Sequence, residues 1–251
     1  SCSAMTTPNG RRWRRSLPDE RGSALLSVWQ AIHERQAEPN LSELRRWLVG
    51  ARMIINIRGT SGSGKTHLVR QFMESRSPQP ILDERGKKIE AYELAGGWFV
   101  IGSYENVCGG CDNFSSVPPS FVGNTMDYVD FLVRRYAERG NVLFEGLIVS
   151  NVWGGIRSRP RWEELARDYP PAIFLFLDTS LELCFQRVLA RSGGRKPKGW
   201  DEGKSSLQQK YGCAAQHYGI ATAKGLDARW LHHDRALAEL EEIVADDGIL
   251  D

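Results

Sequence analysis

The stretch from Met53 to Phe72 constrains the fold of this chain more than any other. It opens with an apolar, β-branched run at 53–57, which is typical of a buried strand. Gly59–Thr66 follows with the sequence GTSGSGKT, which matches G-x-x-x-x-G-K-[ST] at every fixed position. A helical pattern then begins at His67. A strand, a glycine-rich loop and a helix in this order predict a P-loop, which binds nucleotide phosphates.

Each residue type in the loop has a physical role in such a site. Gly59, Gly62 and Gly64 let the backbone turn tightly and point its N–H groups inward. Lys65 is expected to reach the β- and γ-phosphates, and the Thr66 hydroxyl is expected to bind Mg²⁺. The predicted nucleotide-binding residues are Gly59, Thr60, Ser61, Gly62, Ser63, Gly64, Lys65 and Thr66.

Hydrophobic patterning over the rest of the chain alternates strands with helices. Apolar runs at 98–101, 142–144, 172–177 and 228–231 are each expected to form a buried strand, with helical patterns between them. This alternation predicts an α/β fold of the P-loop NTPase type, a three-layer sandwich with a mostly parallel five-stranded sheet and helices on both faces. The segment 80–97 is expected to form an inserted hairpin.

The first fifty residues lie outside the predicted sheet. Residues 1–22 carry four arginines around Trp13, and we expect a flexible basic arm there. This arm either contacts nucleic acid, through its arginines and a stacked Trp13, or has no binding role. Helical patterns over 23–50 predict two helices packed on the core as an N-terminal helical extension. The P-loop domain would then span 51–251, with a lid at 187–204 that is rich in Gly, Lys and Arg.

Composition excludes several classes of protein. A net charge of +2 over 251 residues is not that of a polycation. Five cysteines are too few for a secreted disulfide scaffold, and they indicate a reducing compartment. No apolar run approaches the roughly 20 residues that a membrane helix needs. We therefore expect a cytoplasmic protein that makes no use of a membrane.

Two acidic residues follow predicted strands at the edge where open α/β sheets bind ligands. Glu145 ends the strand at 142–144. A carboxylate there either holds Mg²⁺, directly or through water, or accepts a proton from an acceptor hydroxyl. Asp178 takes the matching position one strand later, but it is better explained as part of the turn before a helix, for which Thr179 and Glu182 are expected to form a capping box.

The segment after the second predicted strand contains Cys108-Gly-Gly-Cys111. This spacing occurs in zinc and redox sites, but the chain has no second cysteine pair with matching spacing. A tight loop is the preferred interpretation, and it brings Glu105 or Asp112 to the acceptor side of the site. Either residue is a candidate general base, and we select Asp112.

Basic residues near the predicted site suit a phosphoryl-transfer reaction. Arg187 and Arg191 are four residues apart and share one face of a predicted helix. Cations there would neutralise charge on a migrating phosphoryl group, unless they only form a solvated surface. Trp153 and Arg157 follow the third predicted strand, and they suit a flat, anionic acceptor such as a nucleotide or a DNA strand. The alternative for this pair is an ordinary surface.

The P-loop, the strand that ends in Glu145-Gly146 and the Arg187/Arg191 helix resemble the P-loop nucleoside and nucleotide kinases, over roughly 53–245. Three runs look more narrowly like a group of bacteriophage kinases that phosphorylate 5-hydroxymethyluracil in phage DNA, as a step towards hypermodified thymidine. These runs are GSYENVCGGCD at 102–112, NVLFEGLIVS at 141–150 and FLFLDT at 174–179. The basic arm and the N-terminal helical patterns lie outside the resemblance.

The resemblance implies ATP with Mg²⁺ as the phosphoryl donor and a DNA strand with a modified pyrimidine as the partner. It implies the cytoplasm of an infected bacterium as the compartment if a phage encodes the chain. Lys65, Glu145 and Arg187 would be catalytic, together with Asp112, Glu105 or Glu145 as the base. Arg187 and Arg191 would contact ATP, and the acceptor would contact residues Glu105, Trp153 and Arg157.

Other P-loop proteins remain as alternatives. A kinase of free deoxynucleosides or their monophosphates uses the same core but has no need of a basic arm. A GTPase switch normally carries an Asn-Lys-x-Asp motif, which this sequence lacks. A motor or remodelling ATPase typically carries an Asp-Glu pair after its third strand, where this chain has Phe144-Glu145-Gly146.

Overall fold

A computed structural model of the chain describes residues 52–106, 110–111, 117–146, 161–169 and 171–247. Several predictions concern residues outside these ranges. They are the basic arm, the two N-terminal helices and the site residues Asp112, Trp153 and Arg157.

The described part of the chain contains seven strands and six helices. The strands are β1 (Ile54–Arg58), β2 (Gln79–Leu82), β3 (Ile89–Leu94), β4 (Trp98–Ile101), β5 (Asn141–Glu145), β6 (Ala172–Asp178) and β7 (Asp227–His232). The helices are α1 (Lys65–Glu74), α2 (Thr125–Ala137), α3 (Arg161–Asp168), α4 (Leu181–Arg191), α5 (Ser206–Ala223) and α6 (Ala236–Asp247). None of these described helices is both long and apolar enough to cross a membrane.

The strands form one sheet in the order β2-β3-β4-β5-β1-β6-β7. The five strands that the sequence predicts, β4, β5, β1, β6 and β7, are mutually parallel. The prediction of a five-stranded sheet was nevertheless wrong, because β2 and β3 extend the same sheet. β3 pairs antiparallel with both β2 and β4, so the hairpin forms one end of the sheet. The α/β class and the mostly parallel sheet are confirmed.

Buried side chains form two layers, one on each face of the sheet. Successive side chains of a strand point to opposite faces, so a strand that is buried throughout contributes to both layers. On one face, Ile55 and Ile57 of β1 share a core with α1 and α6. On the other face, Ile54 shares a core with α2, α3 and α5. The helices therefore cover both faces of the sheet, as the pattern of the sequence predicts.

The start of α4 differs from the prediction. The Ser180 side chain caps this helix and accepts a hydrogen bond from the Leu183 N–H, whereas the sequence favoured a capping box formed by Thr179 and Glu182. The Thr179 hydroxyl instead donates to the Ser63 carbonyl at 2.8 Å. The residue that resembles a helix cap therefore supports the phosphate loop, because Ser180, one residue later, is also a good cap.

The carboxyl ends of the central strands meet at one edge of the sheet. β1, β4 and β5 are parallel neighbours, and they end at Arg58, Ile101 and Glu145. The P-loop follows the first of these residues, and the segment that begins at Gly102 follows the second. The topology therefore brings together three segments that the sequence analysis assigned to the site.

Candidate active site

The P-loop has a backbone that only glycine can adopt at its tightest point. Gly62 has a φ of +82°, and a Cβ at this position would lie 2.5 Å from the Cys184 carbonyl oxygen. Gly64, with a φ of +105°, occupies the N-cap of α1, where it has no side chain to cover the first N–H groups of the helix. The helix N-terminus therefore presents its N–H groups and its positive dipole end towards the loop, which suits a phosphate.

Side-chain hydrogen bonds hold this loop from two sides. The Thr60 hydroxyl donates to the Leu207 carbonyl in the first turn of α5 at 3.1 Å. On the other side, Thr179 donates to the Ser63 carbonyl, as described above. The Lys65 ammonium donates to the Gly59 and Thr60 carbonyls at 3.1 and 3.0 Å, so it lies over the loop that it is expected to serve.

Thr66 and Glu145 meet at the carboxyl edge of the sheet. The Thr66 hydroxyl donates to Glu145 Oε1 at 2.8 Å. Glu145 is a carboxylate with only 4% of its surface exposed. The two predicted magnesium ligands, one on α1 and one on β5, therefore lie side by side. Hydroxyl and carboxylate oxygens are hard donors of the kind that Mg²⁺ prefers, so this pair fits the ion.

The backbone at Gly110 packs directly against the Glu145 carboxylate. A Cβ at Gly110 would lie 2.0 Å from Glu145 Oε1, and Gly110 has a φ of +84°. Gly110 also forms an isolated antiparallel bridge with Ser103. The chain that leaves β4 thus returns over Glu145 two residues before Asp112. The buried Cys111 thiol lies 3.7 Å from the Ile101 carbonyl, which fits a tight loop.

Arg70 holds the segment after β4 in place. Its Nε and Nη2 atoms donate to the Tyr104 carbonyl at 2.9 and 2.8 Å. Glu105 is the next residue, and its side chain is exposed at the same edge of the sheet as Glu145. Its position agrees with an acceptor-side role, which stays a prediction.

The two arginines of α4 differ in their distance from the loop. Arg187 Nη1 donates to the Gly62 carbonyl at 3.2 Å, whereas Arg191 is the exposed last residue of the helix, one turn further on. The loop beyond α4 folds back on this helix, and its Trp200 ring stacks on Phe185 of the helix with centroids 3.9 Å apart. Arg187, where the predicted lid begins, therefore lies at the phosphate loop, and Arg191 lies one turn further into the lid.

A cleft of about 210 Å³ extends from the P-loop along α1 towards the loop after β7. It reaches from Ser63 and Gly64 to Gln71 and His233. His233 comes from the segment that follows β7, which the sequence analysis did not assign to the site. The cleft is lined by Ser63, Gly64, His67, Leu68, Gln71, Leu177, Arg187 and His233.

A buried arginine lies directly before the phosphate loop. Arg58 is fully buried, and its Nη2 donates to Nδ1 of the buried His217 at 2.7 Å. Its guanidinium also lies 5.1 Å from the centre of the Phe176 ring. Sequence analysis missed this pair, although an arginine directly after a predicted buried strand was a signal for it.

The Arg58–His217 pair has a definite charge state at neutral pH. Burial lowers the pKa of Arg58 to about 9, so its guanidinium remains charged. Burial and, secondly, the Arg58 charge lower the pKa of His217 to about 4, so its imidazole remains neutral and accepts the hydrogen bond. The pair therefore places one positive charge next to Gly59, at the base of the loop that is expected to bind phosphate.

A phosphate loop, a carboxylate on the neighbouring strand and an arginine helix on a mostly parallel sheet define a P-loop kinase. Comparison with protein-family models gave no match. The chain is 35% identical over 183 residues to the 5-hmdU DNA kinase of Pseudomonas phage PaMx11, an alignment that covers 70% of this chain and 85% of that protein. It is 29% identical over 198 residues to the 5-hmdU DNA kinase of Pseudomonas phage M6, covering 77% and 98% of the two chains.

A third relative, from Delftia phage PhiW-14, has the same name and is 26% identical over 197 residues, covering 76% of this chain and 72% of its own. The chain therefore belongs to the family of 5-hmdU DNA kinases, and it is an ATP-dependent kinase. Among solved structures, a gluconokinase from Sinorhizobium meliloti is 17% identical with a TM-score of 0.39, covering 80% of this chain and 94% of its own. At this TM-score the similarity says nothing about substrate or mechanism.

Proposed function

We propose that this kinase transfers the γ-phosphoryl group of ATP to the hydroxymethyl group of 5-hydroxymethyluracil in DNA, as a step in thymidine hypermodification. The names of the three relatives support this acceptor. The observation that carries the proposal is the position of Glu145. Its carboxylate contacts Thr66 on one side and Gly110 on the other, so the P-loop and the acceptor-side segment meet there.

The phosphates of ATP would lie on Gly59–Thr66, against the first N–H groups of α1. Lys65 would turn from the Gly59 and Thr60 carbonyls to the β- and γ-phosphate oxygens, and the Arg58 charge beneath the loop would add to the attraction. The ribose and base would occupy the cleft between Gln71 and His233, which opens from the loop itself. Arg187 and Arg191 would approach the phosphates from α4.

Thr66 and Glu145 would hold Mg²⁺, with the carboxylate bound directly or through water. When bound, the ion supplies positive charge to the oxygens of the phosphoryl group that is transferred. Lys65 and Arg187 would stabilise the charge that develops on the same group. Because all four residues lie on strands or helices, their backbones are held in place before the substrates arrive, and only the Lys65 side chain must turn.

The acceptor hydroxyl must lose a proton as its oxygen bonds to phosphorus and ADP leaves. We assign this proton to the Asp112 carboxylate. Gly110, which is two residues before Asp112 in sequence, lies against Glu145. Glu145 has a separate task as a magnesium ligand, which favours Asp112 as the base. Glu105 would instead contact the acceptor, together with Trp153 and Arg157.

The acceptor group lies at the 5-position of a pyrimidine, which faces the major groove of a duplex. In a duplex the enzyme can therefore reach it without flipping the base, a movement that costs a few kcal/mol, and in single-stranded DNA the base is already unpaired. The arginines of the predicted arm at 1–22 would hold phosphates of the DNA. Deleting the arm should then weaken DNA binding and reduce its dependence on salt, and an unchanged affinity and salt slope would contradict that role.

An acceptor screen with labelled ATP and Mg²⁺ tests the proposal. The acceptors are DNA with 5-hydroxymethyluracil, the same DNA with thymine, and free 5-hydroxymethyldeoxyuridine and its monophosphate. We expect label on the modified DNA alone. Label on the free nucleoside or nucleotide alone would overturn the DNA acceptor while leaving a kinase. Hydrolysis of ATP without label on any acceptor would favour a P-loop ATPase.

A further inference from the structure

A second groove of about 410 Å³ lies at the same edge of the sheet as the phosphate loop, on its hairpin side. The Gly102 N–H donates to the Glu90 carbonyl at 2.9 Å, so the start of β3 lies beside the end of β4. With strands about 4.8 Å apart, β3 and β2 lie about 10–15 Å from Glu145 on β5. The groove is lined by Leu82, Glu84, Glu90, Pro118, Ser120, Phe121, Tyr128, Phe131 and Arg135.

Large apolar side chains are exposed around this groove. Among the residues that the structure describes, Leu82 is 49% exposed, Phe131 43% and Val122 97%. Leu82 and Phe131 line the groove, and Val122 follows the lining residue Phe121. Exposed apolar side chains that cluster at one place mark a binding surface more often than scattered ones do. The volume of the groove also falls within the roughly 300–1,000 Å³ of ligand pockets.

Three aromatic rings form the wall of the groove. The Phe121 ring lies 5.2 Å from Tyr128 and 5.3 Å from Phe131, measured between ring centroids. Tyr128 and Phe131 are one turn apart on α2, and their planes differ by only 21°. Because the rings support one another and Phe131 remains partly exposed, they offer a stacking surface for a flat ligand.

Carboxylates on the floor and rim of the groove limit which ligands can bind in it. Glu90 is 4% exposed and accepts hydrogen bonds from the Tyr128 and Tyr136 hydroxyls at 2.9 and 2.7 Å. Glu84 lies on the rim, where it accepts from the Ser120 hydroxyl. These acids disfavour a phosphate inside the groove, but they favour a ligand edge that carries N–H donors.

Cations lie just outside the groove. The turn between β2 and β3 exposes Lys87 and Lys88 at the active-site edge of the sheet, whereas its Arg85 pairs with the buried Asp83 and the half-exposed Arg135 pairs with Glu90. The surroundings are thus positive while the interior is apolar and acidic. This arrangement is complementary to a nucleotide whose base enters the groove while its phosphate remains outside.

We propose that this groove binds an unpaired base of the DNA substrate, at a position about three to four nucleotides from the acceptor base. The spacing follows from the 10–15 Å separation and a rise of about 3.4 Å per stacked nucleotide. Phe131 stacks on the base, and Lys87 and Lys88 bind the backbone phosphates beside it. The inference rests on the proposed function, since it assigns a further contact to the DNA acceptor.

An abasic-site scan tests the inference. Single-stranded 12-mers carry one 5-hydroxymethyluracil near the centre, with an abasic site placed at successive positions from one to five on either side. An abasic site keeps the phosphate and removes only the base. We expect the KM for DNA to rise about tenfold when the abasic site lies three or four nucleotides away on one side, since base–aromatic stacking contributes about 1–3 kcal/mol. The KM for ATP should not change.

Variants connect the abasic profile to the groove. Phe131→Ser should raise the KM of the intact 12-mer to that of the abasic one and flatten the profile, whereas Phe131→Tyr keeps a ring and should retain it. Lys87→Gln with Lys88→Gln should raise the KM for every 12-mer and leave the position of the abasic effect unchanged. A flat profile in the wild-type enzyme, or one that Phe131→Ser leaves intact, would overturn the inference.

Two results would separate this inference from the proposed function. If modified DNA accepts no phosphate, the proposed function fails, and the abasic scan is repeated as an equilibrium binding measurement by fluorescence anisotropy with the same 12-mers. If DNA is phosphorylated but its flanking bases have no effect, only the inference fails. A flat profile together with a Phe131→Ser change in oligomeric state would assign the groove to a second copy of the chain and also overturn it.

Discussion

The Thr66 hydroxyl donates a 2.8 Å hydrogen bond to the Glu145 carboxylate, which connects the first turn of α1 to the end of β5. The two residues are 79 positions apart in sequence and adjacent at the edge of the sheet. Because β1 and β5 are parallel neighbours, the loop that follows β1 and the last residue of β5 lie at the same edge of the sheet. A pair of this kind is ready to share one cation.

Replacing the Thr66 hydroxyl should weaken the binding of Mg²⁺. Thr66→Val keeps the shape of the side chain and removes the donor oxygen, so the Mg²⁺ concentration for half-maximal activity should rise at least tenfold. Thr66→Ser keeps the hydroxyl and should stay within a few-fold of the wild type. A Mg²⁺ titration of kcat checks this, and equal titration curves for the two variants would contradict the assignment.

Removing the Lys65 ammonium should abolish transfer to any acceptor. Lys65→Ala is expected to lower kcat at least about 10²–10³-fold, because the charge on the transferred group loses a fixed donor. The thermal midpoint should change little, since the side chain is only partly buried. Lys224→Ala, at the exposed C-terminal end of α5, is the matched control and should retain full activity. Turnover of Lys65→Ala at the wild-type rate would refute the phosphate-site assignment.

The close packing at Gly110 predicts a large effect from one methyl group. In Gly110→Ala the new Cβ would lie 2.0 Å from Glu145 Oε1, and the left-handed backbone would be strained. The substitution should therefore displace the carboxylate and lower kcat about 10²-fold. Gly212, in α5, has open space around its Cα, and Gly212→Ala should leave kcat unchanged and stabilise the helix slightly. Steady-state kinetics and thermal unfolding of both variants check this. Normal activity of Gly110→Ala would show that Glu145 is not needed in its present position.

The two α4 arginines should differ in importance. Arg187 contacts the Gly62 carbonyl and Arg191 lies one turn away, so Arg187→Met should lower kcat about 10²-fold and Arg191→Met less than about tenfold. Both side chains are exposed, so the substitutions should not affect folding. Measuring kcat and the KM for ATP of the two variants side by side checks the order. A larger effect at Arg191 would contradict the assignment of Arg187 to the transferred phosphoryl group.

Acid should destabilise the protein through His217. Its pKa is about 4 in the folded state, below its ordinary value near 6.5, so only the unfolded state takes up this proton as the pH falls from about 6.5 to about 4. The free energy of unfolding should therefore decrease by about 2–3 kcal/mol over that window. His217→Gln keeps an acceptor for Arg58 and should lose this part of the decrease. Urea unfolding at several pH values checks it, and parallel curves for the two proteins would contradict it.

Much of the fold could be predicted because β1 and the P-loop are adjacent in sequence. A buried strand, three glycines and a lysine specify the loop locally, and the other parallel strands are apolar runs that alternate with helical patterns. The hairpin was predicted, but its place in the sheet was not. Joining β3 to β4 depends on hydrogen bonds between backbones, and the sequence pattern does not record which strand edge is paired.

The contacts of the site were harder to predict than its residues. Glu145 was expected at the sheet edge, but its contact with Gly110 depends on how the chain returns after β4. Arg58 and His217 are 159 residues apart, at the end of β1 and in α5, and they meet only in the folded chain. Thr179 resembled a cap because local spacing cannot reveal that Ser63 lies within reach of its hydroxyl.

The hydroxyls that support the P-loop also determine which positions can drift in evolution. Thr60 and Thr179 supply donors that only a few residue types possess, whereas their acceptors at Leu207 and Ser63 are main-chain carbonyls that every residue has. Each hydrogen bond thus requires a hydroxyl side chain at its donor position, whereas any residue type can supply the carbonyl acceptor. Homologous chains should therefore keep Ser or Thr at the donor positions, while the acceptor ends place no demand of their own on the side chain.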